Sequence, residues 1–319
     1  MSEKKFASQA DLEEKKISFD KLSDQAYAYT AEGDPNTGII IGDDGVMIID
    51  ARATPVMAQE LMQRLRALTD RPVKYVLLTH YHAVRVMGAS AYKAQHVIAS
   101  HATYELIRER GRQDFESEVQ RFPRLFKAVE TVPGLTWPSI TFDASLTLWM
   151  GKREVQIRHI GRGHSRGDTI VYLPDSGVLY SGDLVEEGAT PYCGDAYFAD
   201  WPRTLDRLEG FKATTLVPGR GAALIGADQV ARSIASTKRF LSDLTSVVRD
   251  GVEAKKGLKT IYDEAMAALR PRYGHWVIFE HCMPFNVTRC FDEMSGIADP
   301  QIWTAERDAK MWSTLETGA

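Results

Sequence analysis

Short apolar runs punctuated by turn residues occur in two groups along the chain, and this grouping restricts the fold more than any other feature. GIII, VMIID, VKYVLLT and HVIAS make up the first group, from Gly38 to Ser100. SLTLWM, EVQIRHI, DTIVYLP, GVLYSGD and TTLVPGRG make up the second, which begins near Ile140. Runs of this length bounded by Gly, Pro, Asn and Asp read as strands. GIII and VMIID flank GDDG, so a hairpin is expected with Asp44-Gly45 at its tip. VKYVLLT suits a strand buried on both faces. Helices are expected between the strands. One is capped by Thr54, has Pro55 at its first position and runs to about Leu68. A second starts near Thr103, with residues 112–130 also helical. A third opens at Trp201-Pro202, with Asp200 as its cap. Two β-rich halves, each followed by helices, predict two sheets packed face to face with helices outside, an α/β sandwich.

Beyond Gly226 the period changes. Val230, Ile234, Leu241, Leu244 and Val248 share one helical face, and Leu258, Ile261, Ala265 and Leu269 share another. The expected division is therefore 1–225 for the sandwich and 226–319 for a mostly helical C-terminal appendage. WVIFEHCMPF, within that appendage, is too apolar to face water. It is expected to cover a pocket or to form a homodimer contact. The polar opening stretch is expected to be frayed or loosely docked.

Charge and cysteine content narrow the function. A net charge of -4 with mixed signs argues against a nucleic-acid surface. Cys193, Cys282 and Cys290 show no paired ligand spacing and form no disulfide framework, which points to a reducing compartment. The charged start, MSEKKFASQADLEEKK, has no apolar core of a signal peptide, and no apolar run is long enough to span a bilayer. A cytoplasmic protein without a membrane partner is expected.

Polar residues stand where apolar strands run out: Asp50, His80 with His82, His164 in GRGHSRGDT, Asp183 in LYSGD, and Arg220 in VPGRG. Loops carried on strands are the usual place for a site, and histidine and aspartate suit a borderline ion such as zinc. Three neutral imidazoles can hold one zinc and leave a position for water. Asp168 is expected to fix the turn after His164, Asp50 to accept a hydrogen bond behind the site, and His281 to be a satisfied structural histidine.

In order, NTGIIIGDDGVMIID, LLTHYH, GHSRGDTIVYLP, VLYSGD and LVPGRG resemble the metallo-β-lactamase superfamily, from about Tyr27 to Gly221. The resemblance implies a four-layer αβ/βα sandwich with a metal site at one edge. It makes His80, His82 and His164 ligands of the first metal and Asp183 the bridging carboxylate. The pattern's Asp is Val84 here and its last His is Arg220, so one ion per chain is expected rather than two. Position 85, often His, is Arg85. A mononuclear zinc hydrolase of a small ester, thioester, lactone or related acyl substrate is the leading expectation. Asp183, Arg220 and Arg85 would be its catalytic residues, with Arg220 reaching Asp183 or the open coordination position. The cationic site favours an anionic substrate. Two other readings stay open. One is an iron oxygenase of the persulfide dioxygenase type, using His80, His164 and Asp183 with His82 standing aside. The other is a non-catalytic binding protein whose arginines fill the metal cavity.

Overall fold

The computed structural model describes residues 5–317. Seven strands form the first sheet, in chain order from edge to edge. They are β1 (Ile17–Ser23), β2 (Ala26–Ala31), β3 (Asp34–Ile41), β4 (Val46–Ile49), β5 (Val73–Leu77), β6 (His96–Ser100) and β7 (Ile140–Phe142). The second sheet comprises β8 (Ser145–Met150), β9 (Arg153–Arg158), β10 (Ile170–Leu173), β11 (Val178–Tyr180), β12 (Thr215–Val217) and β13 (Leu224–Ile225). β3 and β4 pair antiparallel with Ile41 opposite Val46, the hairpin that Asp44-Gly45 predicts. β4, β5, β6 and β7 are mutually parallel, as are β11 and β12.

The two-residue alternation of side chains assigns the layers. Met47 and Ile49 of β4 face the second sheet and pack with Val155, Ile157, Val171 and Tyr180. Val46 and Ile48 face outward, against Ala58, Leu61 and Leu65 of α1 (Pro55–Arg66). On the other side, Ile170, Leu179 and Leu216 face Trp201 and Leu205 of α4 (Trp201–Glu209). Between these lie α2 (Ala83–Val86) and α3 (His101–Arg121). The order is helix, sheet, sheet, helix, the four-layer sandwich expected.

Local boundaries differ in places. Ser100, not a residue nearer Thr103, caps α3, accepting from the Thr103 amide at 3.1 Å. α3 ends at Phe122 instead of continuing through residue 130. Asp200 makes no cap hydrogen bond, because its carboxylate is held by Arg162. The opening stretch is docked: Ser8 donates its amide to the Arg121 carbonyl, and Phe6 meets Trp312 edge to face.

The C-terminal helices are α5 (Ala227–Glu253), α6 (Leu258–Tyr273), α7 (Phe279–Met294) and α8 (Ala305–Trp312). Every apolar position predicted to face inward on α5 is buried, and so are Ile261, Ala265 and Leu269 of α6. Phe240 and Leu244 of α5, Ile261 of α6 and Phe285 of α7 share one apolar cluster with Ile170, Leu179 and Leu216 of the second sheet. Phe279, His281, Cys282, Met283 and Phe285 are buried within the chain, so WVIFEHCMPF needs no second copy to cover it. Removing residues 226–319 would expose the outer face of the second sheet. Expression of residues 1–225 is expected to give insoluble or unfolded protein. A soluble, monomeric truncation that melts at the full chain's temperature on size-exclusion and thermal assays would contradict this. Among the described residues no helix is long and apolar enough to cross a membrane.

Candidate metal centre

Parallel pairing puts the strand exits of β4, β5, β11 and β12 at one edge of the sandwich. Asp50 follows β4, Thr79 to His82 follow β5, Asp183 follows β11 and Arg220 follows β12. His164 arrives on the loop between β9 and β10. The HYHAVR turn is fixed from behind by α3. Asp114 Oδ2 accepts the Ala83 amide at 2.7 Å and Glu118 Oε2 accepts the Val84 amide at 2.8 Å. Both amides belong to the first turn of α2, where unpaired N–H groups seek acceptors. His82 is the N-cap of α2 but makes no cap bond with its ring, which is left free for the site.

One nitrogen each of His80, His82 and His164 come together, all within 4.8 Å of one another, and the three residues form a buried metal-binding triad. Hydrogen bonds on the far sides of the rings assign the tautomers. His164 Nδ1 meets the Tyr192 carbonyl at 2.8 Å, which can only accept, so Nδ1 carries the proton and Nε2 the lone pair. His82 Nε2 donates to Asp195 Oδ2 at 3.1 Å, which leaves the lone pair on Nδ1. Thr79 Oγ1 donates to the Asp50 carboxylate and therefore accepts from His80 Nδ1 at 2.9 Å. The remaining nitrogen, His80 Nε2, has no hydrogen-bond partner. Three lone pairs thus face one another, with His82 Nδ1 only 3.0 Å from His164 Nε2. Such an arrangement is repulsive unless a cation sits among them. Metal-binding histidines generally donate the outer N–H to a carboxylate, carbonyl or other fixed acceptor in this way. The donor set fits a three-histidine zinc site.

Burial holds His80 and His164 below the usual histidine value, His164 at about 3, which keeps them neutral as ligands must be. Burial also acts to lower His82, but Asp114, Asp195 and Glu118 outweigh it and raise that ring to about 9. The cavity attracts positive charge at His82.

Asp183 Oδ2 lies 3.6 Å from His80 Nε2 and 3.7 Å from His164 Nε2. Its other oxygen accepts from Arg85 Nη2. Burial alone would raise Asp183, but Arg85, His80, His164 and Arg220 together hold it far below the carboxylate range. Arg85 is fully buried and also donates to the carbonyls of Asn36 at 2.9 Å and Gly219 at 2.8 Å. Gly219 is required here, because a Cβ would collide with Asp183 and come within 3.0 Å of Arg85 Nη2.

The expectation that Arg220 reaches Asp183 is corrected: Arg85 does so. Among the described residues Arg220 makes no ion pair with Asp183. Its guanidinium donates to the Gly33 carbonyl at 3.4 Å and lies 6.0 Å over the Phe122 ring. The cause is its backbone. The Arg220 amide is held by Glu186, which starts the side chain along the outer wall of the cavity. It still lines that cavity with His82, Val84 and Asp183. His82 does not stand aside, since its Nδ1 points into the triad. Nor do the arginines fill the histidine cluster, for Arg85 stands beyond Asp183.

Asp168 fixes its turn as expected, accepting from the Ser165 hydroxyl at 2.6 Å and from its amide at 3.0 Å. Asp50 sits behind the site, accepting the Thr79 amide at 2.9 Å. His281 is not fully satisfied: Ser8 Oγ lies 3.0 Å from Nδ1, but Nε2 is without a partner. Sequence reasoning missed Asp195, Tyr192, Asp114, Glu118 and Arg121. Asp195 lies in a loop with no strand before it, and the α3 residues look like an ordinary solvated helix face.

The profile of the metallo-beta-lactamase superfamily matches residues 30–220, more than half of the chain. A metallo-beta-lactamase type 2 of Bacillus sp. (strain 170) is 24% identical over 219 residues, covering 64% of this chain and 76% of that protein. A linear primary-alkylsulfatase of Pseudomonas sp. (strain ATCC 19151) is 21% identical, covering 63% of this chain and 44% of that protein. Among solved structures, a metallo-beta-lactamase from Pontibacter korlensis superposes with a TM-score of 0.57 at 21% identity, covering 72% of this chain and 100% of that one. Fold, motif order and the converging histidines agree with these matches, and the chain belongs to the metallo-beta-lactamase superfamily.

Proposed function

We propose that the protein is a mononuclear metal hydrolase, with zinc the favoured ion, acting on a small anionic ester, thioester, lactone or related acyl substrate. The observation that carries this reading is the division of labour around Asp183. Three histidine lone pairs converge on one side of it, and on the other a guanidinium stands where a second cation would need ligands. Val84 offers none. A zinc ion held by His80, His82 and His164 would supply a Lewis acid that lowers the pKa of a water to about 7.

The chain's own residues do the rest. Asp183 Oδ2, facing the histidine nitrogens, orients a water by accepting its hydrogen bond. Held ionised far below its usual range, it is a weak proton acceptor, so orientation is its main part. Arg85 fixes that carboxylate and supplies a permanent positive charge in a buried setting, where such charges act strongly. Thr79, Asp195 and the Tyr192 carbonyl hold the rings in the ligand tautomer. The relatives named as a β-lactamase and an alkylsulfatase act on quite different bonds, so the leaving group is not inherited from them.

Elemental analysis after dialysis is expected to return one ion per chain. Two stoichiometric ions that both resist dialysis would overturn the reading. Metal-stripped protein should lose hydrolysis of chromogenic acyl esters, thioesters or lactones and regain it on zinc addition. Val84→Asp with Arg220→His should raise second-ion occupancy little while Arg85 still occupies Asp183. Adding Arg85→His should raise it more.

A further inference from the structure

Behind the metal centre a closed void of about 10 Å³, room for about one water, is lined by His82, Val84, Asp183 and residues of α7. Beside it, toward the surface, lies a pocket of about 340 Å³ between the N-terminal segment and the start of α7. That volume falls within the range of small-molecule sites, roughly 300–1,000 Å³. Phe122, Arg220, Ile278 and His281 line both spaces, so these four side chains are the partition between them.

Two of the four are polar and short of partners. His281 is buried and stacks on Phe122 with ring centroids 4.0 Å apart. Burial and the nearby Arg121 and Arg220 keep its ring neutral. Ser8 Oγ at 3.0 Å uses Nδ1, and Nε2 is left with no partner. A buried polar nitrogen left unmade costs about 1–3 kcal/mol, which a bound ligand would remove. Arg220 makes only its long bond to Gly33 among the described residues. Just inside the partition, Arg121 Nε and Nη2 make no hydrogen bond, with Asp308 and Glu118 at 3.6 and 3.9 Å. Carboxylates on the outer wall are already engaged. Arg124 takes Asp34 at 2.8 Å and Asp11 at 3.3 Å. The unsatisfied groups at the partition are therefore donors.

We propose that the 340 Å³ pocket is the substrate vestibule and that Arg220 and His281, backed by Arg121, form a subsite for the substrate's anionic oxygen group. His281 lies on α7, beyond the residues matched by the superfamily profile, so the specificity element comes from the C-terminal helices. Carboxylate, sulfate and phosphate groups share this chemistry. The assignment rests on reading the metal centre as the reacting end, and a binding experiment separates the two claims.

Calorimetric titration of the metal-loaded full chain with benzoate and, separately, with inorganic phosphate should show one site per chain, and the tighter probe assigns the class of anion. Arg220→Met and His281→Phe, the latter keeping the ring stack on Phe122, should each weaken that probe about 10-fold or more. Metal content and melting temperature should stay unchanged. His281→Gln, which restores a donor, should recover part of the affinity. If no acyl substrate is hydrolysed but the variants still lose the probe, the subsite stands and the hydrolase reading falls. Wild-type affinity in both variants, no binding of either probe, or loss of metal from both His281 variants would overturn the proposal.

Discussion

Replacing His82 by alanine is expected to strip the protein of most of its metal. The substitution removes Nδ1, one of three converging lone pairs, 3.0 Å from His164 Nε2. Two imidazoles and Asp183, whose other oxygen is committed to Arg85, do not make a complete shell. Loss of an outer hydrogen-bond partner alone costs roughly 10–100-fold in metal affinity. Asp195→Asn, which weakens only the bond to His82 Nε2, is expected to fall in that range, and His82→Ala well beyond it. Competition with a chromogenic chelator measures both. If His82→Ala kept its metal while His164→Ala lost it, the ligand set would be His80, His164 and Asp183, and an iron oxygenase would become the better reading.

Arg85→Met should be the most destabilising substitution at the site. Its guanidinium ties the carbonyl of Asn36 in the first sheet to Gly219 and Asp183 at the exits of the second, so it fastens the two sheets at one edge. Removing one partner of a buried ion pair costs about 3–5 kcal/mol, because the other charge is left uncompensated. Urea unfolding of the metal-free forms of both proteins should show that loss directly. Arg85→Lys should recover little, since a single ammonium cannot reach three acceptors set out for a planar fork. A loss below about 1 kcal/mol would mean that Asp183 is neutral or solvated in the fold, against its burial.

The layers and the strand exits were legible because they rest on local rules. The alternation in VMII and the unbroken run before His80 fix which side chains turn inward, and the loops after them can then converge at only one edge. The ligand triad was legible for the same reason. What supports it was not. Asp114, Ser117, Glu118 and Arg121 give α3 a polar stripe that local pattern assigns to water. They are buried because α2, Tyr192 and Asp308 of α8 come to them from distant parts of the chain. Arg220 was misplaced for a related reason. Its place in the motif was right, but the direction of its side chain depends on Glu186, a residue far away in sequence.

The capping of the site by α7 has a kinetic consequence. All three histidines are at most 2% exposed, and the void beside them opens only past Ile278, His281 and Cys282. An ion cannot leave by diffusion through a standing channel, so it must wait for the helix start to lift. Release then becomes a property of local opening rather than of bond strength, and a strong chelator should work no faster than a weak one in excess. Isotopic zinc exchange should follow the amide exchange rate of the first turn of α7. An ion that exchanged much faster than those amides would show another way out.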